Sequence, residues 1–479
     1  MRDRRIVVVG GGPAGIAAGL EAALAGAQVT IVEEREDLGG QYYKQLPSGW
    51  IAETRSWLDR QYDEGRELIE QLRRLGVEIL TGTLVWSLFE DHTLGLTDGT
   101  AVWQFPYAKL ILATGAGELP VALPGWTLPG VLTGGGAQSL ATGQGVLVGR
   151  RILLAGVGPF QLRVAAQLIE AGAGIVAILD AANTWTTARS AARVLVYWKQ
   201  FRQALNYFAV VRRAGVKIFR AHLPTRILGD DRVERVVASR VDDQWRPLPG
   251  TEVEFDVDAV CLTFGFVPSV ELARLAGCRL DYRPDAGGWF VWHGATQATS
   301  VPDVFVAGEA GGVEGAAVAL EEGRLAGLEA AWQLGVVEER RYRMRRGEIE
   351  QALTRARRPA RILRSLTAIR PGLFELITDD TIVCRCEDVR AGEVLAAANR
   401  WEPGLRGVKL WTRAGMGMCQ SRMCGHIISG LIARTKGIPI DSISLDTPRP
   451  PVKPVPLAAM AAPRDGGGAA LGAWHERKA

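Results

Sequence analysis

Hydrophobic and polar positions along the chain alternate between short buried runs and helical spacing. The run Ile6 to Val9 has no polar break and reads as a buried strand, followed by an alanine-rich helical stretch, "IAAGLEAALAGA", and a second strand, "QVTIVE". The same order returns in "RRILLAGVGPFQLRVAAQLIEAGAGIVAILD". Strands alternating with helices of this length predict parallel sheets of the α/β class. Between 184 and 222, "ARSAARVLVYWKQFRQALNYFAVVRRAGVKIF" carries apolar residues at helical spacing and predicts helices packed on a sheet. Strand-like pieces follow, "RVERVVASRV" and "DVDAVCLTFGFVPS", and a further buried strand, "VFVAG", lies near residue 305. That late strand predicts that the chain returns to complete its first sheet.

The patterning sets an organisation: a discontinuous first domain of residues 1–140 and 285–335, and a second nucleotide-binding domain of 141–284. An arginine-rich helical linker (336–374), a cysteine unit (375–445) and a Pro-, Ala- and Gly-rich tail (446–479), mobile or draped over a surface, complete it. At 479 residues the chain is long enough for each domain to bury its own core. A net charge of +4 is too small for this size to imply nucleic acid. The arginines of "EERRYRMRRGEIEQALTRARRPARILRS" suit a solvated helix or linker, with a docking surface as the alternative. No apolar run reaches the roughly 18 residues of a bilayer span, and "MRDRRIVVVGGGPAG" is too short in apolar residues for a signal segment. Four of the six cysteines are clustered, which is no secreted disulfide framework. These features place the protein in the cytosol, alone or held at a membrane face by a partner.

The glycines then supply chemistry. Gly10-x-Gly12-x-x-Gly15 joins the first strand to its helix, and Glu33 ends the next strand 18 residues after Gly15. Such a turn lets backbone approach a pyrophosphate at a helix N-terminus, and the acid reads a ribose. In the second unit Gly156 and Gly158 match and Asp180 ends the strand, but Gln161 stands where the third glycine belongs. A working NAD site and a retained fold with an altered nucleotide site both remain open there, and an adenine nucleotide such as NAD or ATP is the candidate ligand. Cys384-x-Cys386 and Cys419-x4-Cys424 form a four-thiol set, suited to zinc or an iron–sulfur cluster. The spacing fits zinc knuckles poorly, and "AGMGMCQSRMCG" offers backbone N–H groups around sulfur. Cys261 and Cys278 read as buried apolar residues. The five histidines form no pair or triad at motif spacing, so no catalytic residue is assigned.

The glycine motif, Glu33, "GGQYY" at 39–43, "ATG" at 113–115 and "VFVAGEA" at 304–310 resemble two-dinucleotide-domain flavoproteins of Rossmann-like fold. With "PGWTLPGV" at 124–131 and the cysteine unit, the chain resembles FAD-binding α or A subunits of multisubunit amine dehydrogenases. That group holds opine oxidase A subunits, hydrogen cyanide synthase B subunits and dye-linked proline and hydroxyproline dehydrogenase α subunits. The resemblance implies that Gly10, Gly12 and Gly15 meet the FAD pyrophosphate, Glu33 the adenosine ribose, and Gln41 the flavin side. It implies that Thr114 and Gly115 close over the nucleotide and that Gly308 and Glu309 face the ribityl and phosphate groups, although aspartate is usual at the last position. The cysteine spacing resembles the [2Fe–2S] domain of bacterioferritin-associated ferredoxins, with Cys384, Cys386, Cys419 and Cys424 as ligands. The implied function is electron transfer within a heteromeric amino-acid or opine-type amine dehydrogenase. A smaller FAD-dependent amine-oxidase-like subunit would be the partner, with FMN as a further candidate at the interface. A self-sufficient NAD(P)H-dependent reductase and a structural assembly module are the rival readings.

Overall fold

A computed structural model describes residues 4–45, 60–183, 198–400 and 404–462. The chain divides into two compact units, Met1–Gly117 with Pro268–Ala360 and Thr447–Ala479, and Glu118–Val267 with Arg361–Asp446. Part of the helical stretch expected after residue 184 (184–197) and the end of the tail (463–479) lie outside the described residues.

The first unit is built on a five-stranded parallel sheet in the order Val304–Val306, Lys109–Leu112, Ile6–Val9, Val29–Val32, Glu78–Leu80. Every residue of Ile6–Val9 and Val29–Val32 is buried, as strands covered on both faces require. The sheet is discontinuous in sequence, because its edge strand Val304–Val306 arrives about 190 residues after its neighbour. The helix Pro13–Leu24 packs on the helix Ala316–Gln333. Their approach is close: a Cβ at Gly323 would stand 2.1 Å from the Ala14 carbonyl oxygen, and one at Gly327 2.2 Å from that of Ala18. Small residues on both helices are therefore what lets them meet. A three-stranded antiparallel sheet (Leu84–Phe89, Thr93–Thr97, Val102–Pro106) and the antiparallel pair Leu280–Arg283 and Gly288–Val291 also belong to this unit. The described part of the tail lies along it, with the Val452 N–H donating to the Trp86 carbonyl at 3.0 Å and Lys453 paired with Glu34.

The second unit repeats the plan with a parallel sheet in the order Lys217–Arg220, Gly174–Asp180, Arg151–Gly156, Ala259–Thr263, Val131–Thr133. Residues 118–140, grouped by sequence with the first domain, belong here, because Val131–Thr133 pairs with Val260–Leu262. Likewise residues 268–284 fall with the first unit. The strands at these boundaries, Ala116–Glu118 and Phe266–Pro268, have three residues each, too few to give a periodicity to read.

The cysteine unit shares the second unit's core: Val383, Ile427 and Leu431 belong to the same apolar cluster as Trp126, Leu223 and Phe264. The Trp126 Nε1–H donates to the Ile382 carbonyl at 2.6 Å, and Arg385 lies over its ring at 5.3 Å. Arg246 grips Glu375 with two bonds of 2.9 and 3.0 Å.

The arginine-rich stretch forms the helix Glu339–Thr367. It is less solvated than its composition suggests. Arg345 donates to Glu21 at 2.6 and 3.0 Å, and Arg357 donates to Glu314 at 3.0 Å and Glu322 at 2.6 Å. Glu21 and Glu322 are only 5% and 3% exposed, and buried carboxylates need such partners.

Candidate functional site

The first glycine turn is packed closely at Gly10 and Gly15 and more loosely at Gly12. Gly10 has φ +105°, and a Cβ there would stand 2.3 Å from the Ala113 carbonyl oxygen, so the loop bearing Thr114 lies directly against it. A Cβ at Gly15 would stand 1.8 Å from the Gly10 carbonyl oxygen, which fixes the helix against the strand. Over Gly12 the nearest atom to such a Cβ is the Gly40 Cα at 3.8 Å. The helix Pro13–Leu24 begins at this point with no side-chain cap, so its first N–H groups are not satisfied by a capping side chain. Gly39 and Gly40, both at positive φ, bring the next loop against the turn, with the Gly39 N–H donating to the Gly11 carbonyl at 2.8 Å.

Glu33 lies beside this turn. Its carboxylate accepts from the Gly11 N–H at 2.7 Å and the Arg35 N–H at 2.9 Å, one on each oxygen. Burial raises its pKa, and the two backbone donors oppose that rise. Each oxygen keeps a lone pair for a further hydroxyl. Gln41 follows Gly40 on the exposed side of the loop. Thr114 Oγ1 donates to the Ser269 carbonyl at 2.7 Å, and the Ser269 N–H donates to the Gly115 carbonyl at 2.9 Å. Gly308, at φ +73°, sits against Ala14, and its N–H donates to Glu322 at 3.0 Å. Gly10, Gly12, Gly15, Glu33, Thr114 and Gly308 are thus gathered around one helix N-terminus.

Glu309 follows Gly308. Burial pushes its pKa up to about 7, Glu322 adds to the rise, and the Gly315 N–H opposes it. A carboxyl group raised in this way binds more protons folded than unfolded, so its contribution to stability falls as pH rises from about 4.5 through about 7. In urea unfolding of the flavin-free protein at pH 5 and pH 8, wild type is expected to lose about 2 kcal/mol more than Glu309→Gln. Parallel pH curves would show that Glu309 does not titrate in this window.

The second turn is the more crowded. Gly158 has φ +87°, and a Cβ there would stand 2.4 Å from the Thr367 Cγ2 at the end of the long helix. Gln161 is 1% exposed and lies beside Asp180, the acid positioned to read a ribose, where it favours the carboxylate. The Ala182 N–H holds the same carboxylate at 3.0 Å, and Arg220 lies 3.8 Å away. Gly156, Gly158 and Asp180 are therefore in dinucleotide-fold positions whose polar and steric capacity the chain itself uses. Thr367 could not have been found from sequence, since it lies more than 200 residues from Gly158 and belongs to no motif.

The four motif cysteines are drawn together. Cys384 ends the strand Ile382–Cys384, Cys424 opens the helix Cys424–Lys436, and the intervening loop supplies Cys419. Cys424 lies near enough to Cys384 and Cys419, and Cys419 to Cys386, for the thiols to shift one another's titration. These contacts hold Cys384 and Cys419 below the usual thiol range and push Cys424 above it. The Gly415 N–H approaches Cys384 Sγ at 3.5 Å, and a Cβ at Gly417 would stand 2.2 Å from the Cys386 Cβ. Among the described residues, no group of three or more His, Cys, Asp or Glu side chains is set out to hold a single metal ion. No helix among them is long and apolar enough to cross a membrane.

Comparison with known proteins covers both parts of the chain. The family model for pyridine nucleotide-disulphide oxidoreductases matches residues 4–323, and that for the sarcosine oxidase A3 domain matches residues 379–464. The opine oxidase A subunit of Rhizobium meliloti (strain 1021) is 34% identical over 472 residues, which cover 95% of this chain and 98% of that protein. The hydrogen cyanide synthase protein HcnB of Pseudomonas protegens is 29% identical over 464 residues, covering 95% of this chain and 97% of that one. Among solved structures, L-proline dehydrogenase from P. horikoshii shares the fold at a TM-score of 0.68 and 20% identity, over 95% of this chain and 80% of that chain.

Proposed function

Because the chain belongs to the pyridine nucleotide-disulphide oxidoreductase family and matches opine oxidase A subunits along nearly its whole length, we propose that it is the electron-transfer flavin and iron–sulfur subunit of a heteromeric amino-acid or opine-type amine dehydrogenase. The observation that carries this reading is the contrast between the two glycine turns. At the first, a Cβ on Gly12 would make only an ordinary contact with the Gly40 Cα at 3.8 Å, while at the second a Cβ on Gly158 would stand 2.4 Å from the Thr367 Cγ2 and Gln161 lies buried beside Asp180. On this reading FAD takes the first turn, and the crowding at the second speaks against a pyridine nucleotide donor. That favours electrons delivered by a partner subunit over a self-sufficient NAD(P)H reductase.

The residues divide the work. Gly10 and Gly15 fix the turn, Gly12 leaves space for a pyrophosphate, and the helix N-terminus stabilises its charge. Glu33 takes the ribose hydroxyls on its remaining lone pairs, and Glu309 holds a proton near neutral pH beside the ribityl side. The donor set of the cysteine unit fits a [2Fe–2S] group: four thiols in one chain of contacts, two of them favouring thiolate, with a backbone N–H directed at sulfur. When bound, FAD supplies two-electron oxidation chemistry and the cluster one-electron transfer. Family membership does not bring a dithiol mechanism, since Cys261 and Cys278 are buried and neither lies in "GGQYY". A smaller FAD-dependent amine-oxidase-like subunit would oxidise the substrate, and FMN is a candidate at the junction with it.

The test separates the isolated chain from the complex. Purified alone, the chain is expected to show no bleaching of its flavin by NADH or by proline-, opine- or glycine-type substrates. Co-expressed with a smaller amine-oxidase-like subunit, it is expected to yield a stable complex that reduces an artificial dye with such a substrate. Substrate-dependent flavin reduction by the single chain, or steady NADH turnover, would overturn the division of labour.

A further inference from the structure

Resting on the reading of the four cysteines as cluster ligands, we propose that the face around Cys386 is the docking surface for an acidic one-electron carrier protein. Cys386 is the exposed member of the set, whereas Cys384 and Cys424 are buried and Cys419 is intermediate. Beside it stand large apolar side chains left in water: Met418 is 75% exposed, Leu410 69% and Trp411 56%. The contacts make this one face. Gly417, next to Met418, packs on Cys386, and Glu387, next to Cys386, receives Arg413 at 2.8 Å. Arg413 follows the helix Leu405–Thr412 that carries Leu410 and Trp411, and Arg400 lies over the Trp411 ring at 5.1 Å.

Charge identifies the occupant. Within residues 380–422, Arg385, Arg390, Arg400, Arg406 and Arg413 are exposed. Arg390 is paired with the exposed Asp380 and Arg413 with Glu387, which leaves Arg385, Arg400 and Arg406 as the basic excess against exposed Asp388 and Glu393. A permanent interface between subunits is large and apolar at its centre, and burying several arginines in one carries a desolvation cost. Here a few apolar side chains are interleaved with cations, the make-up of a small contact steered by charge. Its complement is a protein with an acidic rim and a small apolar centre. Contact beside Cys386 places the carrier's redox group at the most accessible sulfur. In the transfer the carrier gains one electron and this chain loses one, with no bond made or broken.

The experiment uses the full chain as purified, with an acidic flavodoxin and a basic c-type cytochrome as probes, and calorimetric binding as the readout. Wild type is expected to bind the flavodoxin at low ionic strength and to lose it at several hundred millimolar salt. The Arg400→Glu/Arg406→Glu double variant is expected to weaken flavodoxin binding by about tenfold or more, with iron and flavin contents unchanged. Met418→Ser is expected to weaken it without changing its salt dependence. Flavodoxin affinity indifferent to both variants, or tighter binding of the cytochrome by wild type, would overturn the proposal. So would loss of flavodoxin binding when the amine-oxidase-like subunit is present, because the face would then belong to that subunit. A chain that contains iron but fails these tests refutes the docking surface alone. One purified with zinc and no sulfide refutes the cluster reading beneath it.

Discussion

Gly12→Val protein is expected to purify folded and without flavin. At φ −77° this backbone suits any residue, and a Cβ would meet only the Gly40 Cα at 3.8 Å. The fold therefore accommodates the side chain at a cost of about 1 kcal/mol. The valine methyls, however, fill the space through which a pyrophosphate would reach the helix N–H groups, and those groups cannot be replaced from elsewhere. Flavin content is expected to fall by more than about tenfold, equivalent to about 1.4 kcal/mol or more of binding. Circular dichroism and the unfolding midpoint are expected to stay close to wild type. Gly15→Val is the contrasting control, since its Cβ would stand 1.8 Å from the Gly10 carbonyl oxygen and the strand–helix joint itself would fail. Flavin bound at wild-type levels by Gly12→Val would remove the first turn from the FAD site.

The other large effect falls on the cysteines. Anaerobically purified wild type is expected to contain about two irons and two labile sulfides per chain. Cys419→Ser is expected to lose both, with the visible absorption beyond that of flavin, while flavin content holds. Its position recommends it: Cys419 is only partly buried, so the change tests ligation, whereas Cys384 and Cys424 are 1% exposed within the shared core and their replacement would also disturb packing. Retention of flavin is expected because the Gly12 turn belongs to the other compact unit. Stoichiometric zinc without labile sulfide would defeat the assignment.

What the sequence made legible was local. The two strand–glycine–helix units, the acid ending each second strand and the returning strand at 304–306 all rest on periodicity and turn chemistry within some thirty residues. The contacts that distinguish the two nucleotide folds are long-range. Gln161 signalled that something was altered, but not that it would lie buried beside Asp180, and nothing in the pattern placed Thr367 over Gly158. Arginine composition at 338–365 suggested solvated charge, because sequence does not show which buried carboxylates a helix will meet, as Arg345 meets Glu21 and Arg357 meets Glu322. The cysteine spacing announced a ligand set. It carried no sign that this unit would share the core of the second sheet through Trp126 and Ile382.

The strand Val304–Val306 also sets a timetable for synthesis. Its neighbour Lys109–Leu112 is wholly buried and emerges from the ribosome early, with the edge to which Val304–Val306 later adds still unpaired. At a typical rate of about 5–20 residues per second, that edge stays open for roughly 10–40 seconds while the second unit's first segment is made. An unpaired apolar strand edge is a template for association with other chains. The nascent protein thus passes through an interval in which chaperone capacity, more than the stability of the finished fold, governs soluble yield. Slower translation after residue 112 would lengthen that interval, and faster translation would shorten it.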